Sequence, residues 1–358
     1  MTEKFLKKFF IGSGILLLLC VLAVIVFDPF FQYHKPLKGL KAVLTDKEYQ
    51  CVGSLKTFDY DSVIAGSSVS ENYNNGWFDQ GFDCKSIKAI RSYGATADLC
   101  YLLDIAFEHQ NLKYVFYNLD PSALVADAET TYELTGCPMY LYDDNYINDV
   151  EYWLNKGVLM EKIPYLIANS LMGDYDENNS YNWAQWKEFN SDMILGLYIR
   201  KPSISEMKPE NYYEDILRQN LDLLTSRISA HPETEFYVFV PPYSMLWWDN
   251  IYREGDTEAY LYNMEQAMKT LLSYKNVKMF YFQNDREIIT NLENYMDILH
   301  FSPEINHYIC ESLIGGKHRI SQENYVQNIR EMRDLAYETV EKLVLPYEDR
   351  IKVDTVWR

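Results

Sequence analysis

The chain has 358 residues, with 33 basic and 52 acidic side chains and a formal net charge of −19 at pH 7. Removing the three lysines and two acids of residues 1–28 leaves 30 basic against 50 acidic groups, a net charge of −20 on the remainder. That balance excludes broad phosphate-backbone binding, so no nucleic-acid partner is expected, and it argues against electrostatic capture of a polyanionic polymer.

Phe9 to Phe27 runs 19 residues without a charge. At 1.5 Å per residue that stretch reaches about 28 Å, close to the hydrocarbon thickness of a bilayer. Lys4, Lys7 and Lys8 precede it, so residues 1–8 are expected in the cytoplasm and the bulk of the chain outside. Leu22 to Phe27 offers no small-x-small cleavage site, and Cys20 follows leucines rather than a small residue. The segment 9–27 therefore reads as an uncleaved single-pass anchor rather than a signal peptide. Residues 28–55, with Pro29 and Pro36, read as a connector. The cysteines lie at 20, 51, 84, 100, 137 and 310, with no C-x-x-C and no Cys/His spacing for zinc. No metal or cofactor is expected. A disulfide or two stays open beside the reading of most cysteines as small buried apolar residues.

Beyond the connector, strand-like and helix-like patterns alternate, which predicts an α/β fold with a mostly parallel sheet and helices on both faces. Strands are predicted at about 60–66, 86–90, 113–118, 235–240 and 277–282, and helices over 95–109, 212–229 and 257–274. Residues 121–210 break the alternation. Their tyrosine and tryptophan clusters (Tyr140, Tyr142, Tyr146, Tyr152, Trp153, Trp183, Trp186) read either as a sugar-stacking lid or as a small core of their own. Trp247 and Trp248 follow the Pro241–Ser244 loop, as glycan-facing rings or a packed turn. A long helix is predicted over 318–344, followed by a short tail.

Two stretches carry chemistry. In Tyr60-Asp-Ser-Val-Ile-Ala-Gly-Ser-Ser-Val-Ser-Glu-Asn72, an apolar strand ends at Gly66 and turns into a helix start at Ser67-Ser68. Such a turn holds a serine hydroxyl and free backbone N–H groups at the carboxyl end of a sheet, as acyl transfer requires. Taken locally, either serine serves equally as a helix cap. Downstream stands Met296-Asp297-Ile-Leu-His300-Phe-Ser-Pro303. An imidazole supplies the base that a serine needs, and a carboxylate three residues away fixes the imidazole's tautomer. Ser302-Pro303 reads as the cap and first-turn proline of a following helix. His307 is near enough in sequence to be a further neighbour of the site.

These blocks resemble those of the SGNH/GDSL hydrolase superfamily, and in particular its membrane-anchored, DltD-like branch, found beside cell-surface polymer genes in Gram-positive bacteria. The resemblance spans roughly residues 56–315. It implies a flavodoxin-like sheet of about five parallel strands, with 121–210 inserted after the third strand and 316–358 as a C-terminal helix and tail. Gly66-Ser67-Ser68 stands where the family has Gly-Asp-Ser, implying Ser68 as nucleophile. Asp297 and His300 stand for its Asp-x-x-His, implying an orienting carboxylate and a base. The N–H groups of Ser68 and Gly94, together with Asn118, are implied as the oxyanion hole. Tyr117-Asn118-Leu119-Asp120 departs from the usual Gly-x-Asn-Asp, placing Asn118 one position out of register. The implied activity is hydrolysis or transfer of an acyl ester on a surface polysaccharide or teichoic-acid-like polymer, with a membrane-bound O-acyltransferase as partner. The alternative is a non-catalytic scaffold or glycan-binding component of such a complex.

Overall fold

A computed structural model describes residues 2–354. The chain separates into two compact units, one of residues 1–59 and 132–181, the other of residues 60–131 and 182–358.

The first unit begins with the helix Thr2–Phe27. Residues Glu3–Phe27 are long and apolar enough to cross a membrane or to act as a signal sequence. The helix ends at Asp28, which is fully buried and has φ 38°. Its carboxylate accepts the backbone N–H groups of Gln32 (3.0 Å), Tyr33 (2.7 Å) and His34 (3.2 Å), and the Tyr152 hydroxyl at 2.8 Å. Four donors on one carboxylate satisfy it without water and fix the chain direction below the helix.

The expected connector contains a helix, Lys47–Thr57, with Cys51, Val52 and Leu55 buried. Gln50 disguises it in the sequence. This polar side chain is spent on backbone, accepting from the N–H groups of Thr45 and Asp46 and donating to the carbonyls of Pro29 and Val43. Residues 132–181, expected as part of an insertion into the sheet domain, belong to this unit. Their rings make its core: Tyr132 and Tyr152 are buried, and Phe30 stacks on Tyr152 at 5.0 Å.

The second unit is the α/β body. Its strands are β1 (Ser62–Gly66), β2 (Ser86–Ile90), β3 (Tyr114–Asn118), β4 (Ile199–Arg200), β5 (Glu235–Val240), β6 (Val277–Tyr281), β7 (Arg319–Ile320) and β8 (Lys352–Val353). Six of them form one sheet in the order β2-β1-β3-β5-β6-β7, while β4 and β8 pair separately. The first five are parallel, and β7 is antiparallel to β6. The sequence pattern predicts helix across 318–344. Instead Arg319 and Ile320 pair with Phe280 and Met279, and the helix starts at Tyr325. Two residues are too short for periodicity to register; what makes them a strand is the exposed edge of β6.

Every residue of β1 is buried, which for a period-two strand requires cover on both faces of the sheet. Two groups of helices supply it. Thr96–His109, Glu214–Ala230, Thr257–Leu271 and Tyr325–Glu338 pack in succession, and Asn75–Phe82 packs with Pro303–Gly315. The chain leaves β1 towards β2, then returns past it to β3. In doubly wound sheets this reversal opens a crevice at the carboxyl ends of the two diverging strands. Gly66 and Asn118 end those two strands.

Cys51, Cys100 and Cys310 are buried, as small apolar residues are. Trp247 and Trp248 are each 3% exposed on the helix Met245–Arg253, and the Trp248 indole N–H donates to Gln283 Oε1 at 2.8 Å. They are core residues, so the glycan-facing alternative for these two rings falls.

Candidate active site

The Gly66–Ser68 segment is shaped by a close approach. A Cβ on Gly66 would lie 2.1 Å from Ser70 Oγ and 2.8 Å from the Asn118 Cβ, so only glycine lets β1 end tight against β3. Ser67 follows in extended conformation, and Ser68–Asn72 form a 3-10 helix. The two serines then diverge. Ser67 is buried, 4% exposed, with its hydroxyl 3.5 Å from Asp120 Oδ2. Ser68 is partly exposed, and its Oγ lies 2.8 Å from His300 Nε2.

His300 and Asp297 share a tight turn closed by the bridge between Tyr295 and Phe301. His300 Nδ1 is 2.7 Å from Asp297 Oδ2. The other carboxylate oxygen accepts the backbone N–H groups of Leu299 (2.9 Å) and His300 (2.8 Å). Burial pushes the Asp297 carboxyl up, but the hydrogen bonds and charge of His300 outweigh it and hold the carboxyl below its ordinary value. The turn is tied to the loop after β5. Both the N–H and the hydroxyl of Ser244 donate to the Ile298 carbonyl, at 3.1 and 3.0 Å, and the Tyr295 hydroxyl donates to the Pro242 carbonyl at 2.8 Å. Ser302 and Pro303 open the helix that follows. The structure thus brings Ser68 into one hydrogen-bonded relay with Asp297 and with His300, which lies 232 residues downstream.

The three implied oxyanion donors fare differently. Ser68 opens its helix, where an N–H has no acceptor within the helix. Asn118 ends β3 against Gly66, and its fully buried side-chain amide has neither nitrogen nor oxygen hydrogen-bonded. A buried primary amide without partners is costly unless something is to be bound there. The Gly94 N–H donates to the Arg91 carbonyl at 3.0 Å, closing a turn.

Other residues surround the relay, and of these Asp120, Asn72, Glu71 and Lys88 escaped the sequence reading. Asp120, two positions beyond Asn118, accepts the Ser122 N–H at 2.9 Å, and burial raises its carboxyl pKa above the ordinary value. Its signal was the Asn-x-Asp spacing, which puts both side chains on one side of the strand end. Asn72 Oδ1 accepts the N–H groups of Trp183 (3.3 Å) and Ala184 (3.1 Å), which sets the Trp183 ring edge-on to His300 at 5.0 Å. Lys88, fully buried in β2, donates from Nζ to the Glu71 carbonyl at 2.7 Å. The buried Glu71 accepts the Ser92 hydroxyl at 2.7 Å. These contacts fasten the helix that begins at Ser68 to the neighbouring strand. Burial lowers the Lys88 pKa to about 7, opposed by the charge of Glu71. His307 packs on Trp77 at 4.7 Å. Among the described residues no group of three or more His, Cys, Asp or Glu side chains is placed to hold a metal ion.

No protein-family model matches the chain, and no curated protein is significantly similar to it.

Proposed function

We propose that the chain is an extracytoplasmic serine enzyme of acyl esters, tethered by the helix Thr2–Phe27. The observation that carries this reading is the relay of Ser68 Oγ, His300 and Asp297, at 2.8 and 2.7 Å. Those distances are what general-base activation of a serine needs.

Ser68 Oγ attacks the ester carbonyl carbon while its proton passes to His300 Nε2. Asp297 keeps the Nδ1 proton facing it and stabilises the imidazolium. The carbonyl oxygen becomes an oxyanion, stabilised by the Ser68 N–H and the side-chain amide of Asn118. Collapse expels the alcohol, which takes the proton back from His300, and leaves an ester on Ser68. Water or a sugar hydroxyl then attacks that ester by the reverse sequence, giving hydrolysis or transfer. The same relay serves both outcomes.

The blocks that resemble the SGNH superfamily and its DltD-like branch suggest the substrate class. This is an acyl ester on a surface polysaccharide or teichoic-acid-like polymer, handled beside a membrane-bound O-acyltransferase. The engaged N–H of Gly94 favours a second reading, a scaffold that retains the fold but not the chemistry. Fluorophosphonate labelling separates the two. The enzyme reading expects labelling of the parent that Ser68→Ala and His300→Ala both abolish. A folded parent that stays unlabelled supports the scaffold.

A further inference from the structure

We infer that the helical segment 156–171 is a second membrane contact, lying in the outer leaflet beside the anchor with its apolar face against lipid acyl chains. The inference rests on reading Glu3–Phe27 as an uncleaved anchor. It begins with what covers that helix. From Ile11 to Leu19 the helix is exposed, whereas Val24 is fully buried and most of its neighbours from Cys20 onward are partly covered. Cys20–Phe27 amounts to about 12 Å of helix. Those turns are apolar and belong to the stretch that fills the hydrocarbon.

The cover comes from the same compact unit, from Val150–Trp153 and Val158–Lys162, both packed on the Thr2–Phe27 helix. Protein that packs on Val24, four residues or about 6 Å before Asp28, sits at the depth of the acyl-chain boundary. The helix that contains Val158–Lys162 continues through Ile163–Leu171. Its inward residues Ile163 and Leu166 are buried in the unit. Its outward residues are apolar as well: Met160 is 62% exposed, Tyr165 47%, Leu171 65% and Met172 83%. Pro164, Ala168 and Leu171 recur at helical spacing within Ile163–Leu171 and share one face, with Met160 in the π-helical turn before it.

Lys156 and Glu161 are the exposed charges of the segment, and Lys162, partly covered, pairs with Asp46 at 2.7 Å. Large apolar side chains exposed in a row on a helix mark an interaction surface rather than ordinary surface scatter. Continuity with the anchor selects lipid as the occupant. Tyr165 suits the interface, where an aromatic body and a polar tip are both satisfied.

The test is photocrosslinking of the full chain in phosphatidylglycerol vesicles, with p-benzoylphenylalanine replacing Leu171 in one variant and Leu16 in another. Adducts are identified by mass spectrometry. Leu16 reports on the anchor and Leu171 on the second contact. Lipid adducts at both positions, with yields within about threefold of each other, are expected for a face lying in the acyl region. Adducts at Leu16 but not at Leu171 overturn the inference and leave the anchor standing. No lipid adduct at Leu16 overturns the anchor, and the inference with it. In native membranes, a protein adduct replacing the lipid adduct at Leu171 would assign the face to a membrane-protein partner and overturn lipid as its occupant.

Discussion

Replacing Asp297 by asparagine isolates the orienting role from the fold. Oδ1 of Asp297 accepts two backbone N–H groups, at 2.9 and 2.8 Å, while Oδ2 faces His300 Nδ1 at 2.7 Å. An asparagine must put its amide oxygen towards the two backbone donors, because its NH2 group cannot accept from them. The NH2 group then points at Nδ1, which becomes an acceptor, and the imidazole proton moves to Nε2. An Nε2 that already carries a proton cannot take one from Ser68. The expected loss is roughly 10⁴-fold in turnover of a p-nitrophenyl acyl ester, about 5 kcal/mol of barrier. The backbone hydrogen bonds persist, so the thermal midpoint changes little. Parallel measurements of ester hydrolysis, fluorophosphonate labelling rate and thermal unfolding read the three quantities. A folded Asp297→Asn variant that hydrolyses and labels at the parental rate would refute the assignment of Asp297. The parent itself carries a pH signature. Because the Asp297 carboxyl is held below 3.8, its stabilisation is complete above the unfolded value. It is lost only as pH falls through the depressed folded value, below about pH 4.

Gly66→Ala drives a methyl group into Ser70 Oγ and the Asn118 Cβ, and should cost about 1–3 kcal/mol in denaturant titration, with slower labelling of Ser68. Lys88 has a folded pKa near 7 against 10.5 unfolded, so between these values the unfolded chain binds the extra proton. Parental stability should therefore rise with pH over that window, by at most about 1.4 kcal/mol per unit, and Lys88→Met should flatten the rise. Asp249, fully buried, accepts Arg200 Nε and Nη2 at 2.8 Å each and the Tyr198 hydroxyl at 2.7 Å. Asp249→Ala strands a buried guanidinium and should cost about 3 kcal/mol, the low end for such a break, because Arg200 keeps Glu348 at 3.1 Å. Chemical unfolding of the variant checks it, and an unchanged midpoint would show the pair to be dispensable.

Sequence by itself determined whatever depends on near neighbours. The strand ending at Gly66, the turn holding Asp297 and His300, and the apolar run of β3 are local events. Burial on both faces favours apolar runs, and a tight strand end against a neighbour demands glycine. The uncharged run before Asp28 is equally local. What only the tertiary structure decided is the set of contacts made across long separations. Nothing local distinguishes Ser67 from Ser68; one turns towards Asp120 and the other towards a histidine 232 residues away. The N–H of Gly94 meets the Arg91 carbonyl, a contact that no motif declares. The helix Lys47–Thr57 was hidden because Gln50 looks polar until the backbone groups that satisfy it are in place. The strand β7 exists because an edge of β6 awaited a partner, which no pattern within Arg319–Ile320 could declare. Periodicity records the environment that a segment prefers. The identity of the partner depends on where the rest of the chain has gone.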